Sequence, residues 1–478
     1  MIRYIVGSII MLEAALLLLP ILTAIVYGEW NTLRVFAGSA LFCIVAGALL
    51  RGKKPENTTI FSVEGYVSVA LCWVALSICG AIPLCVSGVL QNPFDAFFEI
   101  VSGFTTTGSS VMQSVEGAPR AILMWRSFSH WVGGMGVLVF MLALLPMAGP
   151  SSMHLMKAES PGPSVGKLVP KVRSTAKILY QIYFVLTVVM LACMILTGCP
   201  LFDSINLTFA TAGTGGFGVL DSSAAEYGAA TQWVMTIFMI LFGVNFNVYF
   251  LFYVKRFKEG MKSEEARAYL GIIASAVLLI SVNIFYMVRN LELTVRQAAF
   301  QVASIITTTG FSSVDFDLWP EFSKGILVLL MFCGACAGST GGGMKVSRLC
   351  IMAKTVMKEL AFIIHPRNVR KTRFEGKTVE HEVLRSINVF LVAYLGIFVL
   401  SVMLISLDNF DFATNFTAVA ATLNNIGPGL AKVGPTQNFG IYSNFSKLVL
   451  AFDMLAGRLE IFPMLVPMIY LLRKKQLS

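Results

Sequence analysis

Phe98-Glu-Ile-Val-Ser-Gly-Phe-Thr-Thr-Thr-Gly108 returns 202 residues later as Phe300-Gln-Val-Ala-Ser-Ile-Ile-Thr-Thr-Thr-Gly310, with Phe, Ser, the three threonines and the glycine in register. A shorter version, Thr214-Gly-Gly-Phe217, lies between them, and Asn424-Asn-Ile-Gly-Pro428 follows. The four glycines Gly108, Gly216, Gly310 and Gly427 are spaced 108, 94 and 117 residues apart. Each follows an apolar half-segment, at about 94–104, 202–211, 295–306 and 411–423, which is too short to cross a bilayer. Such segments are candidates for re-entrant elements.

Longer apolar runs flank every half-segment. They lie at roughly 61–87 and 121–148, 175–198 and 229–254, 270–288 and 324–357, and 386–407 and 444–472. Two further runs, 1–26 and 33–50, precede the first unit and carry no signal-peptide cleavage site. The expected fold is therefore an all-α polytopic membrane protein of about ten transmembrane helices. Four pseudo-repeated helix–pore-loop–helix units surround one pore. The expected divisions are 1–55 for two extra N-terminal helices, 56–150, 151–258, 259–365 and 366–478 for the four repeats.

Composition agrees. Of 478 residues 56% are apolar and 13% charged, against roughly 25% charged in soluble domains, and mean hydropathy is +0.76. This excludes a soluble enzyme, a disordered chain and a disulfide-stapled secreted domain. Six of nine cysteines (Cys43, Cys72, Cys79, Cys193, Cys333, Cys336) fall in apolar runs, where a thiol behaves as a small hydrophobe. Their spacing suggests neither a disulfide framework nor a zinc site. Of 36 Lys and Arg, 27 fall on one side of this layout, seven in the opposite loops, and Arg126 and Arg458 within apolar helices. The net charge of +10 is thus a positive-inside topology signal that places both termini in the cytoplasm, and nucleic acid is not expected as a partner.

Irregular backbone at membrane depth is tolerated only where protein buries it or where it lines a wet cavity. A ring of backbone carbonyls can replace the hydration shell of a cation. The expected filter is Thr106, Thr107 and Gly108; Thr214, Gly215 and Gly216; Thr308, Thr309 and Gly310; Asn425, Ile426 and Gly427. The ion would be held at Thr107, Gly108, Gly215, Gly216, Thr309, Gly310, Ile426 and Gly427. Any one Thr-Thr-Gly alone would read as a helix-end turn; four in register behind matched half-segments favour the filter. Glu99, opposite Gln301 of the third unit, is expected to hold the filter by hydrogen bonding, and Arg126 to make a structural contact. The histidines His130, His154, His365 and His381 show no metal-ligand spacing, and neither a catalytic triad nor a Walker loop can be placed.

These residues resemble the Trk/Ktr/HKT superfamily of potassium transporters, most closely its bacterial TrkH branch. The resemblance covers nearly the whole chain. It rests on the four loops and on Trp131-Val-Gly-Gly-Met-Gly136, Ala337-Gly-Ser-Thr-Gly-Gly-Gly343, Asn424-Asn-Ile-Gly-Pro-Gly429 and Gly457-Arg-Leu-Glu-Ile-Phe462. It implies potassium as the transported ion, no organic cofactor in this chain, a homodimer in a bacterial inner membrane, and a cytoplasmic nucleotide-binding (TrkA-like) regulatory ring. Glycine at all four filter positions goes with potassium preference in the superfamily, and Gly215 removes a hydroxyl that two other repeats carry.

Gly338, Ser339, Thr340, Gly341, Gly342 and Gly343 should break their helix, because each interior glycine costs about 1 kcal/mol relative to alanine. A packing kink would satisfy the physics; the resemblance implies a mobile gate under the filter. Arg458 must face protein or water. It would either pair with Asp453 or Glu460 or, by resemblance, form an electrostatic barrier beside the permeation path. The basic segment 365–385 reads as a topology-setting loop beside anionic lipid or as a docking surface for the ring, and 149–172 as a linker. The function expected is voltage-driven potassium uptake, not enzymatic catalysis, with an ion-coupled symporter as the competing mechanism.

Overall fold

A computed structural model describes residues 1–53, 62–134, 136, 172–366 and 371–476. The 149–171 part of the expected linker, the 137–148 part of the second span and the basic residues Arg367 and Arg370 lie outside them. The described chain is almost wholly helical; its two short strands, Arg373–Phe374 and Lys377–Thr378, form one antiparallel hairpin.

Six helices are long and apolar enough to cross a membrane singly: Ile2–Tyr27, Trp30–Arg51, Val63–Val86, Lys177–Leu196, Glu264–Val288 and His381–Asp408. They coincide with the first two runs and with the leading span of each unit. Four short helices, Pro93–Phe104, Leu201–Gly213, Leu291–Ile306 and Phe412–Leu423, stand where the half-segments were expected and are called pore helices below. Each starts where its sequence permits. Asn92, Asn290 and Asp411 cap three of them through side-chain oxygens, and Pro93 stands in the first turn of the first, where a missing amide is tolerated.

The trailing spans differ from expectation. Those expected at 229–254, 324–357 and 444–472 are not continuous. Ala229–Gly243 and Phe246–Tyr253 meet at 87°; Glu321–Cys333 and Val346–Ile364 are separated by a loop at 334–345; Asn444–Arg458 and Phe462–Gln476 are separated by Leu459, Glu460 and Ile461. The helix Arg120–Gly134 also ends at its glycine pair. Among the described residues six helices are single continuous spans by length and composition, or seven with the bent pair counted as one, and the other trailing segments are interrupted. Of these, only the break at 334–345 was expected from sequence. The one between Gly243 and Phe246 is marked by Asn245, whose side chain accepts from the Asn247 amide at 3.0 Å to start a new helix.

Packing brings the breaks together. The main apolar core runs through the N-terminal helices, the first, third and fourth pore helices and the trailing helices, a second around Tyr183, Leu207 and Phe242 holds the second pore helix, and Leu41, Val282 and Val392 stay exposed. Within the main core Glu13, Cys43 and Cys79 are buried together, with ligand-capable atoms within 4.8 Å of one another.

Candidate ion-pore site

All four pore helices end in the same turn. The amides of Thr106, Thr214, Thr308 and Asn425 donate to the carbonyls of Gly103, Thr211, Ile305 and Thr422. The next amides, of Thr107, Gly215, Thr309 and Ile426, reach back to Ser102, Ala210, Ser304 and Ala421. The first residue of each set is left-handed, at φ 55°, 57°, 58° and 56°, and so is the glycine two positions on, at 84°, 79°, 85° and 108°. Only glycine adopts the second conformation without steric penalty.

The glycines then meet their neighbours in cyclic order. A Cβ on Gly108 would stand 2.0 Å from the Gly215 oxygen, on Gly216 2.0 Å from that of Thr309, on Gly310 1.9 Å from that of Ile426, and on Gly427 2.9 Å from that of Thr107. First meets second, second meets third, third meets fourth, and fourth meets first: the ring closes. A cavity of about 160 Å³ opens over it, lined by all four glycines. Every expected filter residue is thus in one place, at the C-terminal ends of four helices, where carbonyls and helix dipoles favour a cation.

Hydrogen bonds outside the ring repeat its order. Asp221 accepts from Ser114 Oγ and the Val115 amide, both at 2.6 Å; the Ala224 amide donates to Ser312 at 2.8 Å; Thr436 Oγ1 meets Asp315 at 3.5 Å; and the Phe439 amide donates to Ser110 at 2.8 Å. Asn425 Nδ2 bridges Thr107 Oγ1 at 3.0 Å and the Met454 carbonyl at 2.8 Å.

Glu99 is fully buried beside the first loop. It accepts from the Val111 amide at 2.9 Å and Ser110 Oγ at 2.9 Å, and pairs with Arg126 at 2.7 Å. Arg126 in turn lies 4.0 Å from the ring centre of Phe217 in the second loop. Both residues therefore make the structural contacts expected of them. In the third unit Gln301 reaches Ser313 at 3.4 Å, the position equivalent to Val111.

His130 is a site residue that the sequence did not disclose, since nothing in its spacing marks it. Its Nε2 accepts from the Phe217 amide at 3.3 Å, so Nδ1 carries the proton that goes to the Gly103 carbonyl at 2.8 Å. One ring braces the first pore helix and the second loop. It also gives Gly215 a steric reason: a Cβ there would lie 2.1 Å from Nδ1.

Beneath the ring lies the 334–345 loop. The Gly342 amide donates to Thr308 Oγ1 at 2.6 Å, and a Cβ on Gly342 would stand 2.5 Å from the Asn424 carbonyl. Gly338 accepts from the Phe246 amide at 3.0 Å, Ser339 Oγ donates to Cys336 at 2.6 Å, and Thr340 Oγ1 reaches the Phe242 carbonyl at 3.2 Å. Arg458 donates to Thr340 at 2.8 Å, to Gly134 at 2.7 Å and to Gly133. The acids expected as its partners bond elsewhere: Glu460 pairs with Arg348, and Asp453 accepts from Ser401 at 2.7 Å. Lys345, counted with the cytoplasmic charges in the sequence layout, is instead buried, with Nζ on the carbonyls of Gly341 and Gly342.

At the start of the fourth pore helix, the hydroxyl and amide of Thr414 donate to Asp411 at 2.6 and 2.9 Å. These bonds hold the Asp411 carboxyl below its usual range.

A membrane-spanning helical fold with four half-helices ending in one closed ring of backbone carbonyls defines a protein built to pass cations. The family described as "TrkH: Cation transport protein" matches residues 32–478. The chain belongs to that TrkH family. It is 34% identical to the Trk system potassium uptake protein TrkH of Salmonella typhimurium, over 97% of this chain and 96% of that one. It is 30% identical to TrkG of Escherichia coli, over 96% of both. In three dimensions it is similar to the crystal structure of the potassium transporter TrkH from Vibrio parahaemolyticus, with TM-score 0.88, 32% identity and 97% of each chain covered.

Proposed function

We propose that the chain takes up potassium through a channel-like filter driven by the membrane potential. The cyclic contact of Gly108, Gly216, Gly310 and Gly427 with the carbonyls of Gly215, Thr309, Ile426 and Thr107 carries this reading. Potassium is the ion because the Salmonella and Vibrio relatives are named for it. One charge moving through 100 mV gains about 2.3 kcal/mol, enough for roughly fifty-fold accumulation. The 334–345 loop closes the path from below, with Arg458 and Lys345 adding positive charge to the barrier.

The four units 56–150, 151–258, 259–365 and 366–478 act as pseudo-repeats, after an N-terminal pair at 1–55. The protein works as a homodimer in a bacterial inner membrane, both termini cytoplasmic, beneath which a TrkA-like nucleotide-binding ring controls the gate.

Potassium and sodium flux into proteoliposomes tests this, with voltage and a proton gradient imposed separately. Flux that follows voltage and favours potassium supports it. Flux that requires the proton gradient contradicts it and makes an ion-coupled symporter the working mechanism.

A further inference from the structure

Both ends of the 334–345 loop converge on one buried carboxylate. Glu265 is 3% exposed. Its Oε1 accepts from the Ala337 amide at 2.7 Å, where the loop begins, and from the Ser347 amide at 3.1 Å, just after it ends. Its Oε2 accepts from Asn245 Nδ2 at 3.0 Å, at the break in the second unit's trailing helix. The loop crosses to that same break twice more, through the Cys336 amide to Gly243 and the Phe246 amide to Gly338, both at 3.0 Å.

The chemistry suits a carboxylate. Ser347 lies in the first turn of Val346–Ile364, where amides have no helical partner and the helix end is partly positive. An acceptor-only group with several lone pairs satisfies three donors at once. Bonds to an ionised acceptor are stronger than those between neutral groups, and a buried donor orphaned by the loss of its acceptor is costly.

The same helix start reaches the cytoplasmic hairpin. Glu375 accepts from Ser263 Oγ at 2.8 Å and from the Glu265 amide at 3.1 Å, while Glu264 binds Lys354 at 2.8 Å and the Glu375 amide at 3.0 Å. Hairpin, helix start and loop are linked through consecutive residues.

We propose that Glu265 is the positioning residue of the gate: its carboxylate pins both ends of the 334–345 loop to the adjacent helix break, and Glu375 anchors the helix start from the cytoplasmic side. The inference rests on reading that loop as the gate.

Hydrogen–deuterium exchange and potassium flux, measured on full-length protein without partners, test it. Glu265→Ala is expected to speed exchange across 335–348 by at least about ten-fold, raise flux, and leave exchange at 104–110 and the potassium-to-sodium ratio unchanged. Glu265→Gln, which keeps one acceptor oxygen, should fall between, and Glu375→Ala should give a smaller rise in exchange at the same segment. Wild-type exchange at 335–348 in Glu265→Ala overturns the proposal, as does uniformly faster exchange in both Glu265 variants. Removing residues 341–343 separates the two readings. If that raises flux while Glu265→Ala does nothing, the gate stands and the positioning role fails. If Glu265→Ala frees the loop and neither change alters flux, the positioning of the loop stands and the gate reading fails.

Discussion

Gly215 lies directly against His130: no side chain fits between the second loop and the imidazole, since a Cβ would come within 2.1 Å of Nδ1. The missing hydroxyl of the second loop is therefore a packing requirement before it is a matter of ion chemistry. Gly215→Ala should destabilise the protein by about 1–3 kcal/mol through overpacking, read as a lower unfolding midpoint. Adding His130→Ala should recover part of that loss, with a coupling of at least about 0.5 kcal/mol in a double-mutant cycle. Additive losses would show that the ring does not set the residue at 215.

The Glu99–Arg126 pair predicts a second coupling. Glu99→Gln or Arg126→Met alone leaves a buried charge without its partner and should cost about 3–5 kcal/mol. The double variant should cost less than the sum. Because Glu99 also holds the Val111 amide, the single variants should lose potassium preference as well as stability. Stability loss with unchanged selectivity would separate the pair from the filter.

How much of this was readable beforehand differs between the halves of each unit. The pore helices were legible to within a few residues, 411–423 against Phe412–Leu423 for example, because short apolar length and a following Thr-Gly or Asn-Ile-Gly turn are local signals. Of the breaks in the trailing helices, only the glycine-rich one at 334–345 was legible. The residues around 459–461 continue an apolar run, yet Glu460 and Ile461 are left-handed, at φ 58° and 69°, and the Arg348 pairing with Glu460 reaches across 112 residues. His130 was invisible for the same reason: its partners Gly103 and Phe217 are 27 and 87 residues away. Contacts that distant leave no periodicity to read.

Arg458 donates to carbonyls of two distant segments, Thr340 in the 334–345 loop and Gly134 at the end of Arg120–Gly134. Arg458→Gln should raise potassium flux at a fixed voltage, by removing both the charge and part of the loop's tether. Arg458→Lys should not restore the wild-type rate, since an ammonium lacks the planar fork that spans several acceptors. Equal flux in wild type and Arg458→Gln would remove this residue from the barrier.

Asp411, just past the end of the apolar helix His381–Asp408, predicts a pH dependence. Its carboxyl titrates below the unfolded value of about 3.9. The stabilisation it supplies is therefore present above that pH and lost as pH falls through the folded-state value. Asp411→Asn should keep the cap of Phe412–Leu423 and flatten this part of the acid limb of thermal stability. Asp411→Ala should lower stability at neutral pH by about 1 kcal/mol. An unchanged acid limb in Asp411→Asn would assign the dependence to other groups.

On the proposed function, one ring of backbone carbonyls, from Thr107, Gly215, Thr309 and Ile426, binds the permeating ion. Anomalous diffraction from crystals grown in rubidium, a scatterer that replaces potassium, tests it most directly. A peak on the axis between the four loops, abolished in Gly310→Ser, is the predicted result. Rubidium bound elsewhere in the membrane region, with the ring empty in the wild-type protein, would contradict the account.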